Sequence, residues 1–448
     1  MLAQAMRAEC RVATRSMVCI LATRLAIAFV WQTCYKVARV PGAHAAVGSS
    51  RMDSWVLVTE AQSRAGLSVI RSLGRKGIRV AAADHDRVSL GFFSRYCRRR
   101  LHYPDPARFP DEYTDTIIRE LESHHYDVVM PLFDDCLLPL ARRKETVESL
   151  TRFPYLGYDG LLAGRDKALT IDIARRCGLR TPVTFLVQDR SDADRALAEC
   201  SLPLIVRPRQ AGASNGLCRV MRSEEVWPTC ERVARSYGPV IIQEYIPWGG
   251  FTYDVDVLMN RDSAPRAVVV CKRLRTYPAL AGPTSCGQAV RWPDLADMAL
   301  VLLNEMRWYG PAEVEFRINP RDNKPVFMEV NPRLWGSLFT GILAGVDFPY
   351  LLYRLAMDGD IEPVTAYRTD RKARYFFTLD LLCMLTHPRK RSIARAWFAG
   401  FFDARTKMFI PSWSDPLPLL GKLLGTVTYG LRPSRLRQRL NRVNVRNP

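Results

Sequence analysis

The sequence predicts a Rossmann-like α/β domain followed by an α+β domain of two subdomains and a basic, helical C-terminal region. One observation is the order of three segments near the start of the α/β part. Residues 55–59 (WVLVT) are typical of a buried strand, residues 63–77 have helical periodicity and end on Gly77, and residues 78–84 (IRVAAAD) are typical of a second strand. Strand, helix and strand in this order indicate a βαβ unit with a parallel sheet.

Two antiparallel strand pairs later in the chain are the other observation. Residues 253–260 and 266–274 are joined by a polar turn, and residues 310–319 and 324–333 flank the turn PRDN. Hairpins after a βαβ region indicate α+β architecture in the second domain. The segments around these pairs are expected to be a helix over 164–182 that stops at Gly178, a strand–loop–strand over 202–220, a strand over 239–247 and one packed helix over 335–356.

The domain boundaries follow from composition as well as from these elements. The net charge is +20, but it is concentrated at the ends of the chain. Residues 1–50 contain six Lys and Arg against one acid, whereas residues 361–448 contain seventeen against five. We therefore expect a basic N-terminal extension at 1–52, an α/β domain at 53–150, an α+β domain at 151–360 and a basic helical region at 361–448.

The basic ends suggest an anionic membrane surface as a partner. The apolar stretch 17–31 is too short for a spanning helix and is interrupted by Arg24, so the first region is an interfacial anchor, a targeting segment or an extension ahead of a true start at Met52. Residues 374–407 and 417–443 are aromatic and basic, which suits helices lying on lipid or helices packed on the protein body. No nucleic-acid recognition motif is present, so no specific nucleic-acid partner is expected.

Several site classes are excluded by the spacing of the reactive residues. The twelve cysteines include no C-x-x-C pair, which excludes a zinc ribbon and favours a reducing, cytoplasmic location, with peripheral membrane attachment kept open. The turn TEAQSRAG after the first strand is not G-x-G-x-x-G, so the dinucleotide fingerprint is absent. Any metal should therefore be a hard cation on oxygen ligands.

The stretch MEVNPR, residues 328–333, contains the strongest signal for chemistry. In a strand, alternate residues share a face, so Glu329, Asn331 and Arg333 point the same way. The hairpin can bring Glu315 beside Glu329, and Glu313 lies on the same face as Glu315. Carboxylate and amide oxygens at one point can hold Mg²⁺ or Mn²⁺ on nucleotide phosphates. The rival interpretation is a salt-bridged hairpin surface. The apolar neighbours of these residues and the absence of Lys at matching positions argue against it.

Cations and small residues upstream suit the rest of a nucleotide site. The loop at 209–216 (RQAGASNG) has small residues that let backbone N–H groups approach phosphate oxygens, and it follows the cation Arg207. Lys167 offers a second cation. The segment QEYI, residues 243–246, can supply backbone hydrogen bonds and an apolar slot for adenine.

Taken together, this order and spacing resemble the ATP-grasp superfamily, most nearly the carbamoyl-phosphate-synthetase-like proteins and predicted carboxylate–amine ligases. The resemblance covers about 53–360 and rests on the E-x-N-x-R motif with an acid fourteen residues upstream. It implies a pre-ATP-grasp domain before two subdomains that grip ATP. The implied metal ligands are Glu315, Glu329 and Asn331, and Arg333 is implied to contact the transferring phosphate. The implied nucleotide-binding residues are Lys167, Arg207, Gly212, Ala213, Ser214, Gln243, Glu244, Tyr245 and Ile246.

One departure concerns the ribose. Relatives usually have a Glu soon after the adenine segment, whereas this chain has Phe251 or Thr252 there, with Asp254 or Asp256 as substitutes. The function implied by the resemblance is an ATP-dependent ligase that joins a carboxylate to an amine through an acyl phosphate, with both substrates unidentified. Activation of bicarbonate and a non-catalytic, ATP-binding scaffold at a membrane surface are the alternatives. Trp335 and Ser337 are expected to border the acceptor pocket.

Overall fold

The α/β region folds around a parallel sheet, as the βαβ pattern predicts. The computed structural model describes residues 53–212, 215–278, 282–387 and 390–430. The strand order in the first sheet is β3–β2–β1–β4, and the reversal beside β1 opens a crevice between the carboxyl ends of β1 and β4. The four parallel strands are β1 (Trp55–Val58), β2 (Arg79–Asp84), β3 (Cys97–His102) and β4 (Val128–Met130).

Helices cover the faces of this sheet and bury its apolar residues. The first helix begins where the Ser63 side chain accepts a hydrogen bond from the Gly66 N–H, which satisfies one of the free donors at a helix start. Its inner face, including Val69 and Leu73, is fully buried in the core of the domain. The helices of this region are α1 (Arg64–Arg75), α2 (Pro110–Ser123), α3 (Asp134–Arg142) and α4 (Lys144–Leu150).

A small antiparallel sheet follows two connecting helices. These helices are α5 (Tyr158–Arg165) and α6 (Lys167–Arg176), and Asp166 caps the second by accepting from two backbone N–H groups. As predicted, the chain leaves α6 at Gly178, whose φ of 77° favours glycine. The sheet has the order β5–β8–β6–β7. Its elements are β5 (Thr184–Val187), α7 (Arg190–Glu199), β6 (Leu204–Pro208), β7 (Cys218–Val220), α8 (Val226–Tyr237) and β8 (Val240–Glu244).

A seven-stranded sheet forms the larger subdomain, and both predicted antiparallel pairs lie in it. Its order is β13–β12–β9–β10–β11–β14–β15, so β9 joins one predicted pair to the other. The helix α9 (Pro293–Glu305) packs against it. The strands are β9 (Thr252–Met259), β10 (Pro265–Thr276), β11 (Thr284–Val290), β12 (Gly310–Ile318), β13 (Pro325–Asn331), β14 (Lys372–Arg374) and β15 (Thr406–Met408).

The expectation of one helix over 335–356 is wrong. The structure has two helices there, α10 (Phe339–Ala344) and α11 (Phe348–Asp358). Gly345 separates them with a left-handed φ of 96°, a conformation that ends a helix rather than continuing it. The apolar pattern spans both helices because both bury residues in the same core.

The C-terminal region contains the expected helices and also completes the large sheet. Its helices are α12 (Leu381–Thr386), α13 (Lys390–Phe402) and α14 (Leu417–Gly430), while β14 and β15 add two strands at the sheet edge. Buried Arg71 of α1 donates from Nε to Asp415 at 2.8 Å and also binds the carbonyl oxygens of Phe409 and Ile410. The region is therefore joined to the α/β domain by buried ionic contacts.

No helix within the described ranges is both long and apolar enough to cross a bilayer. The predicted N-terminal extension at 1–52 lies outside the described residues, as does the end of the basic region beyond 430.

Candidate functional site

The hairpin places its acids as the alternation predicts. Glu315 of β12 lies directly opposite Glu329 of β13, and Glu313 lies opposite Asn331. The neighbouring strand β9 extends both pairs, because Asp254 is in register with Glu315 and Asp256 with Glu313. Two rows of oxygen-bearing side chains therefore cross three adjacent strands. We call Asp254, Glu315 and Glu329 the first row, and Asp256, Glu313 and Asn331 the second row.

Three cations from other elements neutralise the first row. Arg207 donates from Nη2 to Glu329 Oε2 at 2.6 Å, and Lys167 Nζ lies 3.7 Å from the same oxygen. Arg273 of β10 binds Asp254 through two hydrogen bonds of 2.8 and 2.5 Å and reaches Glu315 at 2.7 Å. The basic partners of these carboxylates thus come from distant segments and not from matching positions of the hairpin, where the sequence has no Lys.

Burial and ion pairing shift the pKa values of Glu329, Asp254 and Lys167 in different directions. Burial would raise the pKa of Glu329, but Lys167 and Arg207 outweigh it and hold the pKa at about 2. Burial raises the pKa of Asp254 to about 6 despite the opposing effect of Arg273. Burial also lowers the pKa of Lys167 to about 8, against the effect of Glu329. Glu329 is therefore ionised throughout the physiological range, as a metal ligand must be.

The donor chemistry of the rows fits a hard divalent cation. Glu315, Glu329 and Asn331 offer oxygen atoms, which Mg²⁺ and Mn²⁺ prefer. Asn331 Oδ1 accepts from Arg333 Nη2 at 3.2 Å, while its amide nitrogen donates to Glu313 at 3.1 Å. In the part of the chain that the structure describes, no three His, Cys, Asp or Glu side chains already converge as a metal site. The guanidinium groups of Arg207 and Arg273 neutralise the acids instead.

Arg333 lies where the large subdomain meets the crevice of the α/β domain. Its Nε is 3.4 Å from Asp134 Oδ1, and its guanidinium carbon is 4.9 Å from the centre of the Phe133 ring. Within the described ranges, Arg333 Nε and Asp134 Oδ1 are buried without a hydrogen bond. These two atoms face each other as an ion pair that lacks hydrogen-bond geometry, so Arg333 and Asp134 connect the large subdomain to the crevice.

The predicted phosphate loop approaches the same crevice. Lys167 Nζ donates to the Ala211 carbonyl at 2.7 Å, and a Cβ on Gly212 would lie 3.4 Å from Asp134 Oδ2. Two other predicted loop residues, Ala213 and Ser214, lie outside the described residues. The described part of the loop thus contacts Lys167 at the start of α6 and lies beside Asp134 at the start of α3.

The predicted adenine segment occupies the end of β8. Gln243 is buried and donates from Nε2 to Thr184 Oγ1 at 3.0 Å, so its side chain is used within the small sheet. Glu244 accepts from the Val183 N–H at 3.3 Å, and Ile246 is buried. The ring of Tyr245 lies 4.5 Å from the Arg219 guanidinium carbon. The segment therefore presents backbone groups and a cation-backed aromatic ring.

Sequence reasoning missed Asp254, Arg273 and Asp134 as members of the site. The alternation in YDVDV repeats that of the hairpin and was the available signal for Asp254, although it was assigned to ribose. In the structure Asp254 binds Arg273, and fully buried Asp256 accepts a hydrogen bond from Cys271 Sγ at 3.2 Å. The side chains of Asp254 and Asp256 therefore both have partners within the large sheet. No local pattern distinguishes Arg273 from the other arginines.

Comparison with protein families gives a match in the part of the chain that holds the rows. Residues 236–376 match a family model described as "ATP-grasp in the biosynthetic pathway with Ter operon". The chain is 21% identical over 236 residues to the carbamoyl phosphate synthase large chain of Pasteurella multocida, which covers 49% of this chain and 22% of that protein. The chain thus spans about a quarter or less of the length of such relatives.

Solved structures show the same fold over most of the chain. The biotin carboxylase of Campylobacter jejuni has a TM-score of 0.59 and 15% identity, covering 72% of this chain and 75% of that one. The L-amino acid ligase of Bacillus licheniformis has a TM-score of 0.55 and 19% identity, covering 72% and 79%. Likeness at this level of identity establishes architecture: a two-subdomain α+β body preceded by a Rossmann-like domain.

Proposed function

We propose that this chain, whose fold is the ATP-grasp fold, is an ATP-dependent carboxylate–amine ligase. In this reaction a substrate carboxylate oxygen takes the γ-phosphoryl group of ATP and ADP leaves. The amine nitrogen then attacks the acyl carbon, the phosphate departs and a proton is lost, which gives an amide. No side-chain nucleophile is needed, because the energy of the amide bond comes from ATP.

The oxygen atoms of Glu315 and Glu329 in the first row and of Asn331 in the second row support this proposal most directly. Glu315, Glu329 and Asn331 would hold Mg²⁺ or Mn²⁺. A divalent cation held by these residues would supply positive charge that neutralises the phosphoryl group during its transfer. Arg207 and Lys167, which now share Glu329 Oε2, are placed to contact phosphates once the metal takes that carboxylate. Buried cations of this kind stabilise anionic oxygens strongly because little water competes.

Arg333 is the proposed catalytic residue. Its planar guanidinium can bridge two oxygens of a transferring phosphoryl group. Its Nε–H makes no hydrogen bond within the described residues. Asp134 and Phe133 hold it from the side of the crevice, which makes the crevice the approach for the acceptor. Gly212, Ala213 and Ser214 would cover the phosphates, and Gln243, Glu244, Tyr245 and Ile246 would line the adenine slot.

A second candidate is activation of bicarbonate. The similarity to carbamoyl phosphate synthase over 236 residues favours it. Bicarbonate is itself a carboxylate, so the same row of acids and cations would serve the phosphoryl transfer. The candidates differ in the acceptor: bicarbonate-dependent ADP release would proceed without an organic acid.

The test is an ADP-release screen of the full chain with Mg²⁺. Its arms are pooled carboxylates with pooled amines, bicarbonate with ammonia, and no acceptor. The ligase proposal predicts ADP release that requires one carboxylate pool and one amine pool. Release in the arm with bicarbonate and ammonia supports the second candidate, whereas ATP binding without release in every arm supports a non-catalytic scaffold and contradicts the ligase.

A further inference from the structure

A second group of polar side chains faces the rows from three separate parts of the chain. Arg64 is the first residue of α1, Thr340 lies in α10, and Tyr375 follows β14. The guanidinium carbon of Arg64 lies 4.4 Å from the centre of the Tyr375 ring, and its Nη1 donates to the Thr284 carbonyl at 2.7 Å. Residues more than two hundred positions along the chain from Arg64 thus lie around its guanidinium.

The hydroxyl groups beside Arg64 are buried without partners. Tyr375 and Thr340 are each only 2% exposed, and in the described ranges neither hydroxyl has a hydrogen bond. The nearby fully buried Trp335 likewise has an unpaired Nε1. The two hydroxyls lie close enough to influence each other, and neither has a further partner within the described residues, so both can turn toward a ligand oxygen.

Arg64 has donors left for such a ligand. A guanidinium carries five N–H donors, and the described residues give Arg64 one side-chain hydrogen bond, that to Thr284. Gly336 lets Arg64 pack closely against the chain, since a Cβ there would lie only 2.9 Å from Arg64 Nη2. The remaining guanidinium donors and the two hydroxyls form a polar group suited to a planar anion.

The group lies beside the second row. Glu313, opposite Asn331, accepts from Ser337 Oγ at 3.4 Å, and Ser337 directly follows Gly336, against which Arg64 Nη2 packs. The two rows are two residues apart along the strands, about 7 Å at the usual rise of a strand. A ligand held by Arg64 is therefore close to the row that would hold the metal.

We propose that Arg64, Thr340 and Tyr375 form the binding site for the carboxylate group of the acid substrate. Arg64 binds the two carboxylate oxygens with its planar fork, and the two hydroxyls donate to the same oxygens. This proposal rests on the proposed ligase function. It also gives the C-terminal region a direct part in substrate binding, because Tyr375 belongs to it.

The test measures binding of carboxylates, separately from ATP, by calorimetry on the full chain with Mg²⁺ and ADP. The probes are the twenty common amino acids, succinate, short fatty acids and inorganic phosphate. The variants are Arg64→Lys, which keeps the charge but loses the fork, and Tyr375→Phe, which keeps the ring beneath Arg64. Arg79→Lys is the matched control, since Arg79 is a half-exposed arginine paired with exposed Asp53 on the α/β domain.

At least one carboxylate should bind the native chain saturably. Its affinity should be at least tenfold lower for Arg64→Lys and at least fivefold lower for Tyr375→Phe. The dissociation constant for ADP should change less than twofold in every variant. Tyr375→Phe should keep or raise the melting temperature of the ligand-free protein, because the lost hydroxyl has no partner. The control should match the native chain.

Three results would overturn the carboxylate site: no saturable carboxylate binding by the native chain, equal binding by the variants, or a preference for inorganic phosphate. The ligase proposal fails separately. If carboxylates bind through Arg64 but no ADP is released in the activity screen, the carboxylate-binding site is supported and the ligase reaction is contradicted.

Discussion

Arg207 Nη2 and Glu329 Oε2 lie 2.6 Å apart, although 122 positions separate the two residues in the chain. The small antiparallel sheet supplies the cation, and the hairpin of the large sheet supplies the anion. With Lys167 on the same oxygen, this contact ties both subdomains to α6. A metal bound to Glu329 would compete with these cations, which are then free to hold phosphate. The proposed function therefore implies that nucleotide binding would rearrange this ionic contact.

The first prediction concerns Arg333→Lys. Lysine keeps the positive charge but cannot bridge two phosphate oxygens, and it loses the hydrogen bonds to Asn331 and the Leu334 carbonyl. We expect ATP to bind within about threefold of the native affinity, because Lys167 and Arg207 remain. Turnover should fall by at least about 100-fold, roughly 3 kcal/mol in the barrier. Calorimetry and ADP release measure the two effects, and unchanged turnover would remove Arg333 from the chemistry.

The second prediction concerns pH and Glu60, which follows β1 in the crevice. Its Oε2 accepts from the Leu132 and Phe133 N–H groups, and burial raises its pKa to about 8. The folded protein therefore holds a proton that the unfolded chain releases near pH 4.5. Stability from this group is complete below that pH and is lost as the pH rises to 8.

The free energy of unfolding of the native chain should fall between pH 5 and pH 8.5. In Glu60→Gln we expect this fall to be smaller, by a difference on the order of 1–3 kcal/mol. Urea denaturation at the two pH values measures it. Glu120→Gln is the control, since Glu120 is a buried acid that accepts from Tyr126 at 2.6 Å far along the same domain. An identical pH dependence in native protein and Glu60→Gln would contradict the assignment.

The third prediction compares two ion pairs of different burial. Asp415 is fully buried and is bound by Arg71, the Ser94 hydroxyl and the Arg95 N–H. Asp415→Asn leaves the Arg71 charge uncompensated and should destabilise the protein by about 3–5 kcal/mol. Asp53→Asn removes the partner of Arg79 at the surface and should cost less than about 1 kcal/mol. Equal melting temperatures for the two variants would show that the C-terminal region is not fixed to the α/β domain.

The fourth prediction concerns the membrane surface. Trp413 is 73% exposed and Leu417 is 50% exposed in the basic C-terminal region. If this region docks on lipid, vesicles with phosphatidylserine should bind the chain at low salt and release it as salt rises. Trp413→Ser with Leu417→Ser should weaken binding at least threefold without changing the fold. Equal binding to neutral vesicles, or none at low salt, would rule out electrostatic docking.

Sequence periodicity predicted the hairpin well because alternation and register are local properties of two adjacent strands. The register next to the turn PRDN pairs Phe316 with Phe327 and would place Glu315 opposite Met328, and an irregularity between Glu315 and Phe316 shifts the partner to Glu329. The partners of these acids could not be predicted, because Arg207 and Arg273 reach them only after separate strands assemble. The same limit applies to Tyr375, whose place beside Arg64 depends on β14 joining the large sheet. The break at Gly345 was readable, since glycine commonly follows the last turn of a helix.

The proposal on which the rest depends is that Glu315, Glu329 and Asn331 bind the divalent cation of a nucleotide. It is tested most directly by calorimetric ATP binding to Glu329→Gln, with Mg²⁺ and with a chelator, at a temperature where circular dichroism shows the variant folded. Glu120→Gln again serves as the control for loss of a buried acid. We predict that Mg²⁺ strengthens ATP binding by the native chain and the control at least tenfold, and by Glu329→Gln less than twofold. A full Mg²⁺-dependent increase in Glu329→Gln would contradict the account and leave the rows as a structural ion-pair network.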